Sequence, residues 1–312
     1  MDFTTTEEQV LLRDTARALL TNQCPPSLVR AHMSDPAVAD PLWGHLSEWV
    51  ALADGPLVDT CLFLEECGAV LLPGPFVATV LAAQLVPVGG TATVAMAGLD
   101  GHWLPNDDDT KTFVVEADLV DDVLIVSSSG VELAHPTELT RVNTVDSSRR
   151  VFEVATVPGT PVDARDINDW LERAYVLLAA ELVGSARWLL QTTLEYAKQR
   201  VQFEVPIGSF QAIQHKLANM SLAVERATSA TYYAAMAIDA DDADRHRAAH
   251  VAKAAAGRAA TLCAKDGIQI HGGIGYTWEH DLHLYIRRAY ASEALLGTSD
   301  WHHDRLADLL LN

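Results

Sequence analysis

A few side chains in this 312-residue sequence are of types that could carry acid–base or metal chemistry. Glu181 stands amid Leu178, Ala179, Ala180, Leu182 and Val183. Burial there would disfavour the carboxylate and raise its pKa toward the range of a general base, but a lone acid in such a run is read first as structural or interfacial. Glu293 is expected on the solvated side of a helix. His246 and His250 are spaced i,i+4, and His302-His303 adjoin Asp304. No His-Glu-x-x-His string or converging carboxylate set accompanies them, so a solvated or interfacial role is expected and no metal. No nucleophile elbow, P-loop or dinucleotide-binding glycine string occurs, since His271-Gly272-Gly273-Ile274-Gly275 lacks a strand–turn–helix setting. Cys24, Cys61, Cys67 and Cys263 show no C-x-x-C spacing and read as packed thiols.

The elements that must position these residues fall into three textures. Residues 1–89 are helical in pattern, with a hydroxyl-and-acid cap at Thr4-Thr5-Thr6-Glu7-Glu8, further helices over 42–52, 57–71 and 76–86, and a breaker at Pro73-Gly74-Pro75. Residues 90–163 carry short Val/Ile/Thr runs separated by Gly, Pro and Asp, which predicts a small antiparallel β domain. Residues 164–312 return to helical periodicity: Ile213, Leu217, Met220, Val224 and Ala227 form one apolar stripe, and the Ala-rich segment 250–264 permits close helix approach. The expected fold class is α+β, mainly α, with an N-terminal helical domain, a small middle β domain and a C-terminal four-helix-bundle domain.

With 49% hydrophobic residues the chain can bury a large core, and 22 basic against 42 acidic residues give a net charge of −20. Such a charge excludes a phosphate-backbone grip, so nucleic acid and anionic membranes are poor partners. The sequence opens on an acidic, capped pattern rather than a basic region followed by an apolar run, and no stretch is apolar enough to span a bilayer. A cytoplasmic location is therefore expected.

Two stretches, RVQFEVPIGSFQAIQHKLANM (200–220) and IQIHGGIGYTWEHDLHLYIRR (268–288), closely resemble the acyl-CoA dehydrogenase family; Glu65-Glu66-Cys67-Gly68 and Pro73-Gly74-Pro75-Phe76 resemble it more weakly. The order helical, β, helical bundle is also the order this family has. The resemblance implies FAD, with Arg200, Gln202, Phe203, Phe210, Gln211, Gln269, Gly272 and Gly273 reaching the cofactor of a neighbouring subunit. An Arg guanidinium and amides freed of a Cβ suit a pyrophosphate, and Phe203 or Phe210 can pack beside a flat heterocycle. Arg200 alone could equally be a helix-terminal arginine facing the dipole. Glu204 departs from the family pattern, placing a carboxylate where glycine is usual. Leu296, in Leu296-Gly297-Thr298, stands where the family usually has its catalytic Glu, and a leucine cannot take a proton. The alternative base position of some relatives falls at Ala174, with Glu172 on a nearly opposite face. The flavin loop and its tryptophan strand are missing between Thr91 and Pro161, where Trp103 is the sole tryptophan.

The resemblance thus points to the non-catalytic subunit of a heteromeric FAD-dependent acyl-CoA dehydrogenase of the actinobacterial steroid side-chain type. That reading expects a catalytic set of none in this chain, FAD shared with a homologous partner carrying the Glu, an α2β2 heterotetramer, and an acyl-CoA substrate in the partner's site. The alternatives are a structural or regulatory paralogue that binds no FAD, and a self-sufficient homomeric dehydrogenase with another base, such as Glu181 or Glu293.

Overall fold

Helices dominate both ends of the computed structural model, which describes residues 4–311; residues 1–3 and 312, at the ends of the outer two expected domains, lie outside the described residues. Helix α1 (Glu7–Gln23) opens on a reciprocal cap one step later than the acidic pattern suggested. The Thr6 hydroxyl accepts from the Gln9 N–H and the Gln9 side chain accepts from the Thr6 N–H, both at 3.2 Å, while Glu7 and Glu8 occupy the first turn, where the helix dipole favours them. Helices α2 (Pro26–His32), α3 (Asp40–Leu46), α4 (Leu57–Val70) and α5 (Phe76–Ala83) follow. The single helix expected over 42–52 is thus corrected: α3 ends at Leu46, and Ser47–Asp54 continues as a tighter 3-10 helix. Neighbouring side chains take the carbonyls this leaves, with Thr60 Oγ1 donating to Leu52 O at 2.8 Å and Gln84 Nε2 to Ala53 O at 3.0 Å.

The middle of the chain forms two small sheets. Strands β1 (Ala92–Ala95), β3 (Asp122–Ser127), β4 (Gly130–Ala134) and β7 (Thr160–Pro161) pair in the order β1-β3-β4-β7, and β2 (Thr110–Val115), β6 (Val151–Ala155) and β5 (Leu139–Val142) in the order β2-β6-β5. The expected antiparallel character holds for every pairing in these two sheets except β1 with β3, which is parallel. Parallel strands need a crossover, and β2, leaving for the second sheet, supplies it. Register slips in β2 between Lys111 and Val114, where Phe113 takes φ +55°.

Helix α6 (Ile167–Gln199), the hairpin β8 (Val201–Gln202) and β9 (Val205–Pro206), then α7 (Gln211–Asp239), α8 (Arg245–His271), α9 (Leu282–Ala294) and α10 (Ser299–Leu311) build the C-terminal bundle. The Ala-rich α8 packs against α6, α7, α9 and α10, as its small side chains allow. Of the stripe on α7, Met220, Val224 and Ala227 are buried and Ile213 and Leu217 half-buried. Helix α4 crosses α6 backbone to backbone: a Cβ at Gly68 would fall 2.0 Å from Glu181 O, and one at Gly184 1.8 Å from Glu65 O. One hydrophobic core runs from α1 and α4 through the bundle to Ala92, Leu124 and Val131 of the first sheet.

Candidate functional site

The eight residues expected to reach a cofactor gather at one end of the bundle, and all are exposed. Arg200 is the C-cap of α6, its N–H donating to Tyr196 O at 2.8 Å and its carbonyl accepting from Ile207 N at 2.8 Å, so it is indeed helix-terminal while its side chain faces solvent. Gln202 to Gln211 follow through the hairpin, and Gln269 to Gly273 end α8. The two segments are joined where the Tyr196 ring stacks on His271 at 4.3 Å and its hydroxyl donates to His271 O at 3.4 Å, and where Lys216 pairs with Asp266. Phe203 is 87% exposed and meets Phe210 edge-on at 6.2 Å. Tyr276 and Trp278, 72% and 58% exposed, follow Gly273 in the chain.

The local backbone explains two of these positions. Gly272 sits at φ +61°, ψ −141°, a region essentially closed to L side chains, with open space before it and before Gly273, so backbone amides there can be approached closely. The two-residue hairpin turn holds Phe203 at φ +52° and Glu204 at φ +67°. A turn of this kind needs positive φ at both central residues, which is the physical reason glycine suits position 204. Glu204 therefore carries backbone strain at the exposed tip.

Leu296 lies elsewhere, buried at 4% exposure with φ +56°. It faces a chamber of about 50 Å³ lined also by Trp170, Leu178, Val94 and Phe113, enough for about one or two waters. Ala174 is fully buried and sits one turn from both Trp170 and Leu178 on the same face of α6. The two positions at which a base was sought thus adjoin one apolar chamber, and neither carries an acid. Glu172 points away, paired with His246 and Arg245.

Sequence reasoning missed the charges behind this chamber. Arg149, in its wall, donates to Glu181 and to Ser292 Oγ at 2.9 Å; Arg288 donates to Asp146 at 2.5 Å, Glu181 at 3.1 Å and Ser148 Oγ at 2.9 Å. All four charged groups are buried. Burial lowers the Arg149 pKa, with Arg288 acting in the same sense; burial alone would raise that of Asp146, but the two guanidiniums outweigh it and hold the carboxyl below its ordinary value. Glu181 is buried, and the guanidiniums of Arg149 and Arg288 both bond its Oε1. Glu293 corrects its expected solvated placement: half-buried, it accepts from Ser299 N at 2.6 Å at the start of α10. Beneath the Leu296 turn, Lys253 Nζ donates to Glu293 O at 2.8 Å and Gly297 O at 3.0 Å, and burial brings its pKa down to about 7. His250 and His302 are not solvated either: their Nδ1 atoms meet at 2.7 Å beside Tyr175, and burial lowers them to about 4 and about 2. Among the described residues no group of three or more His, Cys, Asp or Glu could hold a metal, and the four cysteines are buried and free.

Comparison with known proteins shows the family and the fold. Residues 166–311 match the family model described as acyl-CoA dehydrogenase, C-terminal domain. The chain is 36% identical over 314 residues to acyl-CoA dehydrogenase IpdE2 of Mycobacterium tuberculosis, covering 94% of each, and 34% identical over 306 residues to IpdE2 of Mycolicibacterium smegmatis, covering 93% of this chain and 95% of that one. Its fold matches a Tcur3481–Tcur3483 steroid ACAD variant with TM-score 0.85 at 25% identity, covering 99% of both chains. It also matches the ChsE4–ChsE5 complex from Mycobacterium tuberculosis with TM-score 0.86 at 24% identity, covering 100% of this chain and 99% of that one. With this sequence similarity along nearly its whole length and this fold, the chain belongs to the acyl-CoA dehydrogenase family.

Proposed function

We propose that this chain is the non-catalytic subunit of a heteromeric FAD-dependent acyl-CoA dehydrogenase, in which a homologous partner carries the flavin loop and the catalytic Glu. The observation that carries the proposal is the contrast within one bundle: eight residues suited to a dinucleotide stand exposed together, while the two positions for a base hold Leu296 and Ala174, both buried and neither able to take a proton. The residues present fit the adenosine diphosphate half of FAD. Arg200 would pair with a pyrophosphate oxygen, the amides at Gly272 and Gly273 are open to close approach, and Phe203 and Phe210 offer faces to a flat ring. Gln202, Gln211 and Gln269 add amide donors and acceptors beside them. A flavin held there would supply the acceptor for a hydride from the β carbon of the thioester.

The substrate is a CoA thioester undergoing α,β-dehydrogenation, and a steroid side chain is the acyl group we favour, because a protein of the same fold is a steroid ACAD. An α2β2 assembly and a cytoplasmic site complete the proposal; among the described residues no helix is long and apolar enough to cross a membrane. The two guanidiniums bonded to Glu181 Oε1 and the capping role of Glu293 speak against a self-sufficient homomer. The test is purification of this chain alone and with the homologous chain: flavin should copurify only with the complex, and yellow protein from this chain alone would overturn the reading. Arg200→Ala should lower the flavin content of the complex; an unchanged content would favour a structural paralogue.

A further inference from the structure

Where α1, α4, α6 and α7 meet lies a cavity of about 510 Å³ that shares no lining residue with the Leu296 chamber. Arg187 is its contribution from α6. At roughly 100° per residue, Arg187 stands on the face of α6 opposite Leu178, which lines that chamber. Helix α1 brings Arg13 to the same cavity. Two guanidiniums thus share one space, in a chain whose net charge is −20.

The carboxylates nearby do not balance both of them. Glu65, 3% exposed, pairs with Arg187 Nη1 and accepts from the Tyr232 hydroxyl at 2.7 Å. Glu66 accepts twice from Arg17, at 2.7 and 3.1 Å. Asp14 stands 3.8 Å from Arg13 Nε, beyond hydrogen-bond length, and Glu225 is exposed on α7. Arg13 Nε is buried and has no hydrogen-bond partner. Beyond its pair with Glu65, Arg187 makes one long bond, from Nη2 to Thr228 Oγ1 at 3.4 Å. Burial lowers the Arg187 pKa; Tyr232 and Glu225 oppose that, while Arg17 and Arg13 act in the same sense as burial. One anion would relieve both the unmade donor and the repulsion between like charges. The rest of the lining selects among anions. Val58 and Leu62, both buried, and Met236 present hydrocarbon to the same cavity, and its volume is within the range of small-molecule pockets. A bare phosphate would leave that hydrocarbon uncovered.

We propose that this cavity is a binding site for a small carboxylate with an apolar body, its oxygens received by Arg13 and Arg187 and its body by Val58, Leu62 and Met236. The site needs no flavin, base or partner, so its failure would leave the heteromeric reading untouched, and the reverse also holds. The test titrates the full chain in a calorimeter with cyclohexanecarboxylate, with cyclohexanecarboxamide, which keeps the ring and lacks the charge, and with inorganic phosphate. Saturable one-to-one binding of the carboxylate, about tenfold or more tighter than either of the others, is expected. Arg13→Gln removes one guanidinium, leaves the Glu65–Arg187 pair in place, and should weaken the carboxylate by about tenfold or more while leaving the amide unaffected. Ser229→Trp, which fills the cavity from the exposed side of α7, should weaken it at least as much. If one of these variants does not fold by circular dichroism, the other carries the test. Absence of saturable binding, amide or phosphate binding as tight as the carboxylate, or an affinity indifferent to Arg13→Gln or to Ser229→Trp would each overturn the proposal.

Discussion

The exposed end of the bundle around Arg200 and the Leu296 chamber both use left-handed backbone, and they use it in opposite surroundings. At the end, Phe203, Glu204 and Gly272 hold positive φ in the open, and the strain presents groups outward. In the chamber, Leu296 and Gly297 hold it beneath packed side chains, with Lys253 fastening the turn from below. Signature and reactive group are therefore separable: the fold that keeps a recognisable surface can at the same time wall in the place where a base would stand.

The contrast can be broken most severely at the ion cluster. Arg288→Met leaves Asp146 and Glu181 to share Arg149 alone and should cost about 3–5 kcal/mol in denaturant unfolding; a loss under about 1 kcal/mol would mean the chamber does not depend on the cluster. Glu116 tests the same region by pH. Burial pushes its carboxyl up to about 7 from the ordinary 4.5, with one bond from Arg150 N at 3.1 Å. A raised folded-state pKa contributes stability below the unfolded value that is lost as pH rises through the folded one, so stability should fall between those two values by on the order of 1 kcal/mol per pH unit. Glu116→Gln should flatten that limb in urea melts at graded pH, and an unchanged slope would remove Glu116 from the account. At the open end the effects should be smaller and of the other sign. Glu204→Gly relieves the hairpin turn and should stabilise by about 1 kcal/mol. Smallest of all, Arg200→Ala should leave thermal stability within about 0.5 kcal/mol of the parent while altering flavin retention in a complex; a large loss of stability would make Arg200 a structural cap and no more.

Much of this was legible in the sequence where a local pattern governs. The α7 stripe, the Ala-rich α8 and the buried thiols follow from periodicity and spacing on short stretches, and the gathering of residues 200–211 with 269–273 from the family resemblance. What escaped depends on partners far apart in the chain. Arg149, Asp146, Glu181 and Arg288 span three elements, and no spacing rule brings them together. The parallel β1–β3 pairing is set by where β2 goes, not by either strand, and the 3-10 segment after Leu46 is held by Thr60 and Gln84. His250 and His302 looked like surface histidines because each was judged without the other.

Gly68 and Gly184 give the two regions a mechanical relation. Their backbone contact is a fulcrum on α6, with Ala174 on one arm and Arg200 on the other, roughly 24 Å from Gly184 at helical rise. A tilt of one degree about that point would shift the guanidinium end by roughly 0.4 Å, a displacement comparable to the tolerance of a hydrogen bond. Ala174 and Arg200 thus ride on one continuous helix, held against α4 between them, so the placement of the one fixes the distance to the other.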